Sequence, residues 1–377
     1  ICDGALARSP ASPDLLMLAG NVAREAGDFE AARSHYLVAL DAGIDLERHH
    51  LLGALANACR YDDPSDPEIA RFAKHFADTR YSPRSRASAG FALAKAQNDL
   101  ADYAAAAGTL RKANAMVRTL PRWDSMAWQR FIDTRQRERV AAASTLAHPG
   151  FKPVFIMGVP RTGTTLTASL LARATGARDR GELRTLRYIA EQLIAGGHLD
   201  NPATLAEAAN LYCALAVQDD APAAWYLDQD PLNFRWLHIA AAMFPDARMI
   251  HLRRDRRDTA LSLWSQDFAH PDLAFAYDFD DMRAFMDGHD ALMTHWNRAL
   301  SLPIFELDYE TLVTETGPSL AKLRDFIGAP AHESHRAEDN APVQSASVWQ
   351  ARQPVYATSI GRWRHYMPYV PELAGFT

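Results

Sequence analysis

A glycine-containing segment that follows an apolar run is the first place where residue types and spacing suggest chemistry. Phe155 to Leu166 reads FIMGVPRTGTTL, with four residues between Gly158 and Gly163. This is the outline of a phosphate-binding loop, in which backbone N–H groups at a helix N-terminus hold phosphate oxygens. A nucleotide-hydrolysing loop has lysine after the second glycine, whereas this chain has Thr164 and carries its basic residue, Arg161, earlier. The pattern predicts an anion site that differs from that of a P-loop hydrolase.

A second basic segment, RMIHLRRDRRDTALSLW, ends an apolar run in Arg253 and Arg254. A Walker B strand would instead end in an aspartate that holds magnesium. A phosphate-binding loop without that aspartate and without the lysine is poorly equipped to move a phosphoryl group, so the pattern favours transfer of a less highly charged group. A nucleic-acid site is disfavoured, because Asp255 and Asp258 interrupt the arginines and the formal net charge is −6.

We expect no metal site. HESHR, from His332 to Arg336, has two imidazoles but no third and fourth ligand at a matching spacing. This segment is interpreted as a solvated loop.

The elements that must position these residues divide the chain into two predicted domains, 1–145 and 150–377. VFIMGV, RMIHLRR and IFELDY read as short buried strands, each followed by helix-like sequence, which is typical of a parallel sheet with crossover helices. AHPGFKP, just before the first strand, breaks the helical pattern that precedes it. The second domain is therefore predicted to be α/β.

The first domain is predicted to be all-helical, because it is rich in alanine and has apolar residues at helical spacing. GNVAREAGDFEAARSHYLVALDAG and FALAKAQNDLADYAAAAGTLRKANAM both fit a tetratricopeptide repeat, and they lie about twice the usual ~34-residue period apart. Small alanines let two helices approach, while aromatic residues such as Tyr36 and Tyr103 fill the gaps. This predicts an α-solenoid with a concave groove; an ordinary helical bundle is the alternative.

Length and composition limit these interpretations. The 377 residues suffice for two domains, and 48% hydrophobic residues with a mean hydropathy of −0.24 are typical of a soluble globular protein. Cys2, Cys59 and Cys213 show no C-x-x-C spacing, and no apolar run is long enough to span a membrane, so we expect a cytoplasmic location. Because the chain begins with Ile1, we also expect it to be part of a longer protein, which has room for a targeting segment elsewhere.

Five blocks, in this order, carry a resemblance to a known family: GVPRTGTTL, DPLNF, FPDARMIHLRRDRRDTALSL, LDYETLV and QARQPVYATSIGRWRHY. Together they resemble a bacterial sulfotransferase with N-terminal tetratricopeptide repeats, related to the tyrosylprotein sulfotransferases, and the resemblance covers about the whole chain. It implies a P-loop-like α/β sulfotransferase domain, with a parallel sheet flanked by helices, after an all-α tetratricopeptide-repeat solenoid. It also implies the donor 3'-phosphoadenosine 5'-phosphosulfate (PAPS) and the product 3'-phosphoadenosine 5'-phosphate (PAP).

The resemblance implies roles for individual residues. The loop residues implied to hold the 5'-phosphosulfate are Arg161, Thr162, Gly163, Thr164 and Thr165. Arg161 would also neutralise charge on the bridging oxygen as the sulfuryl group leaves. Arg254 and Ser262 match the pair that holds the 3'-phosphate, a task for which the planar fork of arginine is suited. The positions implied to close over the nucleotide are Tyr309, Ser347, Arg362 and Trp363.

RGELRTL resembles the segment with the family's catalytic base, which implies that Glu182 takes the proton from the acceptor hydroxyl. A surface glutamate on a loop is the alternative, and His251 or Asp230 would then be the next candidates.

One departure concerns the family's D-K-x-P-x-N motif, whose lysine lies near the sulfuryl group. Gln229 stands at that position and carries no charge. The chain is then a slower or altered enzyme, an engineered trap, or one in which another cation replaces the lysine.

Three functions stay open at this point. The first is a PAPS-dependent sulfotransferase that acts on a hydroxyl or phenol of a peptide tyrosine, a carbohydrate or a small molecule. The second is a P-loop kinase, which Thr164 and Arg254 disfavour. The third is a catalytically impaired sulfotransferase-fold binding protein whose repeats recruit a partner. A peptide or protein in the repeat groove is the partner expected in the first and third cases, and a homodimer is left open.

Overall fold

A computed structural model describes residue 9 and residues 12–118, 123–138, 150–218, 223–268, 270–330 and 358–377. Ser347 and the segment from His332 to Arg336 lie outside the described residues. Among the residues it describes, no helix is long and apolar enough to cross a membrane.

The first part of the chain is all-helical, as predicted. The helices found in its described residues are α1 (Pro13–Ala26), α2 (Phe29–Asp41), α3 (Leu51–Ala56), α4 (Pro67–Ala77), α5 (Pro83–Asp99), α6 (Tyr103–Val117) and α7 (Ser125–Arg137). The carboxylate of Asp28 accepts a hydrogen bond from the backbone N–H of Ala31 (3.0 Å) and so caps α2. Gly20 lets α1 and α2 approach closely, because a Cβ there would lie 2.4 Å from Cε1 of Tyr36.

The second part is built on a five-stranded parallel sheet, which confirms the predicted α/β class. Its strands are β1 (Lys152–Gly158), β2 (Arg178–Asp179), β3 (Trp225–Asp228), β4 (Arg248–Arg253) and β5 (Ile304–Asp308), in the order β2-β3-β1-β4-β5. β1 lies between β3 and β4, with Phe155 opposite Asp228 and Ile156 opposite Ile250. The three strands predicted from the sequence are β1, β4 and β5. The short β2 and β3 were not predicted.

Helices cover both faces of this sheet. They are α8 (Thr164–Thr175), α9 (Thr185–Ala195), α10 (Pro202–Val217), α11 (Leu237–Met243), α12 (Arg256–Trp264), α13 (Phe279–Ala299), α14 (Tyr309–Thr314), α15 (Thr316–Ile327) and α16 (Trp363–Tyr366). Residues Pro231–Trp236, Pro271–Tyr277 and Pro371–Gly375 form 3-10 turns. α8 packs with Val154 and Ile156, whereas α11 packs in the core that contains Phe155. The chain thus leaves β1 and β3 toward opposite faces, the arrangement that opens a ligand-binding crevice at the carboxyl ends of the strands.

One hydrophobic core joins the two parts of the chain. It contains Phe155 and Met157 of the sheet together with Leu110 of α6 and Trp128 of α7. Trp128 stacks on Phe285 of α13 with ring centroids 4.9 Å apart. α6 and α7 therefore pack into the α/β part, although the predicted division at residues 145–150 assigns them to the helical domain.

Candidate active site

The loop between β1 and α8 has a backbone shape that depends on its glycines. A Cβ on Gly158 would lie 2.5 Å from the carbonyl oxygen of Leu252, so only glycine lets β1 and β4 come together there. Arg161 and Gly163 both have positive φ, 77° and 106°. A non-glycine residue in this region is strained, and such strain is concentrated at functional sites. The hydroxyl of Thr162 donates to the carbonyl of Val159 (2.8 Å) and closes the turn.

The loop leads directly into the N-terminus of α8. Gly163 is the residue that precedes the helix, and no side chain among the described residues caps it. Thr164 and Thr165 lie in the first turn and are buried. Backbone N–H groups of a first turn attract anions, and the helix dipole adds to that attraction. The loop therefore fits a phosphate or sulfate group.

Arg254 lies against this loop. Its guanidinium donates to the carbonyl oxygens of Arg161 (3.0 Å) and Ser359 (2.9 Å), and it lies over the ring of Tyr309 at 4.5 Å. The same tyrosine ring packs on Gly163, where a Cβ would come within 2.6 Å of it. The Nε–H of Arg254 is buried and has no hydrogen-bond partner in the described part of the chain. Burial lowers the pKa of Arg254, although Tyr309 and Asp258 counteract this.

α12 connects the loop to the C-terminal segment. Ser262 of α12 accepts a hydrogen bond from Nε of Arg161 (3.1 Å), so these two implied anion-binding residues are in contact. Asp258, one turn earlier, is 2% exposed and accepts the backbone N–H groups of Gly361 (2.6 Å) and Trp363 (3.0 Å). Asp258 is a positioning residue that sequence reasoning had considered only as a charge that dilutes the arginines.

Arg362 and Trp363 are the two implied nucleotide-site residues of the tail that the structure describes, and their contacts differ. Arg362 donates to the hydroxyl of Ser265 (3.3 Å), and its charge is close enough to Arg254 to lower the pKa of that residue further. The guanidinium of Arg257 lies over the ring of Trp363 at 4.0 Å. The structure thus brings Arg362 near Arg254, whereas the ring of Trp363 packs on Arg257.

Glu182 lies at the mouth of a pocket of about 70 Å³ that is formed around the turn after β3. Its side chain is exposed to solvent on one part and shares the pocket lining with Arg184 and Asp230. This partial loss of hydration raises the pKa of Glu182 to about 7, and the neighbouring carboxylate of Asp230 acts in the same direction. Arg161 and Arg184 oppose the increase. Glu182 therefore lies within the field of the loop arginine and can exchange a proton near neutral pH.

The other two candidates for a base differ from Glu182. His251 is 4% exposed on β4, and its ring contacts the buried His289 at 5.1 Å. Burial lowers the pKa of His251 to about 3. His251 is thus part of the core, whereas Asp230 lines the same pocket as Glu182 and has its pKa raised by burial.

Gln229 is turned away from the pocket. Its side chain is fully buried, and its amide nitrogen donates to the carboxylate of Asp179 at 3.3 Å. Burial raises the pKa of Asp179 to about 6, while hydrogen bonds from Gly181 and Gln229 counteract the increase. The oxygen Oε1 of Gln229 has no hydrogen-bond partner in the described residues. The amide therefore pairs with a carboxylate that a lysine would pair with more strongly.

Sequence reasoning missed most of the pocket beside Glu182. Its polar lining includes Arg184, Arg187, Arg235, His270 and Asp272. These residues come from three separate segments of the chain and share no motif, so no signal in one stretch of sequence could have found them. In the described residues, no group of three or more His, Cys, Asp or Glu side chains is arranged so that it could hold a metal ion.

Comparison with known proteins agrees with this geometry. Residues 153–333 match the model of the Sulfotransferase family. The match does not reach the helical region, so the tetratricopeptide interpretation stays a prediction. An uncharacterized protein of Aquifex aeolicus is 31% identical over 309 residues, which are 76% of this chain and 41% of that protein. The chain thus spans less than half the length of this relative.

Two solved structures are similar to the chain at low sequence identity. The sulfotransferase domain of the Synechococcus PCC 7002 olefin synthase is 18% identical, with 59% of this chain and 90% of that chain covered and a TM-score of 0.42. A sulfotransferase of Mycobacterium tuberculosis is 15% identical, with 84% and 100% covered and a TM-score of 0.29. The family match shows what this part of the chain is similar to: residues 153–333 resemble the Sulfotransferase family, a family of enzymes.

Proposed function

We infer that this chain transfers a sulfuryl group from PAPS to a hydroxyl or phenol. The single observation that carries this proposal is the contact of Arg254 and Ser262 with Arg161 of a phosphate-binding loop that lacks lysine. A site of this kind has two centres for anions, one at the loop and one between β4 and α12. A donor with a 5'-phosphosulfate and a 3'-phosphate fits both.

Different residues of the chain would bind the donor, stabilise the leaving group and accept the proton. The first turn of α8 and Arg161 hold the 5'-phosphosulfate, and Arg254 and Ser262 hold the 3'-phosphate. The donor supplies an activated sulfuryl group, whose bond to the bridging phosphate oxygen breaks as a bond to the acceptor oxygen forms. Arg161 stabilises the negative charge that grows on that bridging oxygen. Glu182 takes the proton of the acceptor hydroxyl, and its raised pKa suits this role.

Gln229 distinguishes this proposal from an impaired binding protein. Because Gln229 donates to Asp179 and brings no charge, the cations near Glu182 are Arg161 and Arg184. In the active alternative, these arginines carry the charge stabilisation that the family's lysine provides. In the impaired alternative, the nucleotide binds and sulfate transfer is absent. A P-loop kinase is the weakest candidate, because β4 ends in Arg253 and Arg254 rather than in a carboxylate.

The helical region is proposed to bind a partner. α1 with α2, and α5 with α6, are consecutive helix pairs, and small residues such as Gly20 and Gly90 allow their close approach. Tetratricopeptide repeats have this architecture and present a groove for extended peptides. A peptide-borne acceptor is compatible with this proposal. The cytoplasmic location and a homodimer likewise stay predictions.

The test of the proposed function compares two nucleotides. We expect PAP to raise the melting temperature of the protein, and ATP with magnesium to do so much less, because a ligand that binds only the folded state stabilises it. Isothermal titration with the same two ligands gives the affinities, and PAPS turnover separates the enzyme from the impaired binding protein. Equal shifts with both nucleotides would overturn the assignment.

A further inference from the structure

The pocket beside Glu182 contains an arginine, Arg235, that forms no ion pair with any described residue. Arg235 lies in the 3-10 turn after β3, and its guanidinium is held near the rings of Trp128 (5.1 Å) and Phe285 (5.8 Å). Its Nε–H is buried without a hydrogen-bond partner, and no carboxylate of the described residues forms an ion pair with it. Burial lowers the pKa of Arg235 to about 10, so it is protonated at neutral pH. Leaving such a charge unpaired is costly, and a bound anion would remove that cost.

The neighbouring charged side chains pair with one another rather than with Arg235. Arg187 forms ion pairs with Asp272 and with Glu191 (2.8 Å). Arg184 lies 3.0 Å from Nε2 of His270, while Nδ1 of the same ring accepts the backbone N–H of Asp272 (3.2 Å), a role that the neutral imidazole can fill. Burial lowers the pKa of His270, which favours that neutral form. The described lining of the pocket thus holds three arginines and three carboxyl groups, but no carboxylate lies close enough to Arg235 to form an ion pair or a hydrogen bond with its buried Nε–H.

The same pocket has an apolar part. Pro231, Leu232, Trp236 and Leu273 line it together with the arginines, and the solvent-exposed Glu182 lines it as well. A molecule that fills the pocket would therefore have one anionic end, a short apolar body and an end near Glu182. The volume of about 70 Å³ suits a small group such as the anionic end of that molecule.

We propose that the acceptor is a small hydroxylated carboxylic acid whose carboxylate pairs with Arg235 while its hydroxyl lies at Glu182. This deepens the proposed sulfotransferase function and rests on it. A planar carboxylate matches the fork of a guanidinium in two parallel hydrogen bonds. A doubly charged phosphate fits less well, because the carboxylates of Asp230 and Asp272 act on the same arginine.

The test compares an acid with its neutral amide. 4-Hydroxyphenylacetate and 4-hydroxyphenylacetamide are titrated calorimetrically into the protein, once alone and once with PAP bound. We expect the acid to bind about tenfold more tightly or better, the effect of one charged hydrogen bond. Arg235→Met should abolish this preference, Arg235→Lys should retain part of it, and Arg71→Met, which removes an exposed arginine of α4, should change nothing.

Each outcome decides one question. Equal affinities of acid and amide for the parent protein would overturn the proposal, as would a preference that survives in Arg235→Met. The melting temperature and PAP affinity of each variant show whether it is folded. If PAP does not bind to the parent protein, the proposed function is refuted. The titration of the acid and the amide without PAP still tests the carboxylate site in that case. With PAPS present, Arg235→Met should lower kcat/KM for the acid by a larger factor than that for the amide.

Discussion

Glu182 shows how the environment of one carboxyl group sets its chemistry. A glutamate on the surface is ionised at neutral pH and is a weak base, because its proton affinity is low. Here the pocket walls and Asp230 raise the pKa to about 7, and Arg161 and Arg184 limit the increase. Asp228, beside them, is 2% exposed, and burial raises its pKa to about 7 as well. Unlike Glu182, it is enclosed and accepts the hydroxyl of Tyr212 (2.7 Å).

The first prediction concerns the pH dependence of Glu182. Only the ionised form can accept a proton, so kcat/KM for sulfate transfer should fall as the pH decreases through about 7. Glu182→Gln should lower turnover by roughly 100-fold or more above that pH and remove this pH dependence, while PAP affinity stays unchanged. Glu30→Gln, on the exposed face of α2, is the control. Turnover within a few-fold of the parent would exclude Glu182 from the mechanism, and lost PAP binding would make its role structural.

At the scale of elements, β1, β4 and α12 bring the anion-binding groups together. The parallel pairing of Gly158 with Leu252 aligns the carboxyl ends of β1 and β4, so the loop and Arg254 emerge at one edge of the sheet. α12 then carries both Ser262, which contacts the loop, and Asp258, which holds the tail. One short helix thus links the two implied phosphate centres.

The second prediction uses the two consecutive arginines at the end of β4. Arg254→Ala should weaken PAP binding by about 1.5–3 kcal/mol, the range for a charged hydrogen bond. Arg253→Ala is a matched control, because Arg253 is exposed and pairs with Glu306 (2.9 Å) on β5. Isothermal titration of both variants checks this. Identical loss in the two would mean that general positive charge, and not a contact of Arg254, holds the nucleotide.

At the scale of the whole molecule, the helical region contacts a residue that lines the proposed acceptor pocket. Trp128 of α7 reaches into the α/β part, where its indole N–H donates to the carbonyl of Ala284 (3.1 Å) and its ring lies beside Arg235. Further along the chain, Tyr366 donates to Asn98 of α5 (2.8 Å), so the tail is also attached to the helical region. The two parts therefore act as one unit for both stability and the site.

The third prediction follows from this shared core. Trp128 is 7% exposed, and Trp128→Ala should lower the free energy of unfolding by about 3–5 kcal/mol, as expected for removal of a buried indole. Urea unfolding measures the change, and affinity for 4-hydroxyphenylacetate should fall with it because Arg235 loses an aromatic neighbour. Leu18→Ala, at a position 50% exposed on α1, should cost much less. A loss below about 1 kcal/mol would show that the helical region is not part of a common core.

The sequence by itself determined the local chemistry of this protein. Gly158 and Gly163 encode the loop because only their backbones accept the close approach and the positive φ that it needs. The apolar runs predicted β1, β4 and β5. The sequence also predicted that the loop and Arg254 belong to one anion site, because the carboxyl ends of parallel strands lie at one edge of a sheet. These features depend on contiguous residues, which a pattern can show.

Only the tertiary structure decided which distant residues meet. Trp128, Glu182 and Arg235 are far apart in the sequence, and their juxtaposition depends on how α7 packs against α13 and how the turn after β3 lies. The pairing of Gln229 with Asp179 needs the two-residue strand β2, which is too short to leave a pattern. The pKa of Glu182 depends on the same packing, because partial burial and the charges of neighbouring segments set the free energy of ionisation. Such effects are properties of the folded chain, and no short stretch of sequence contains them.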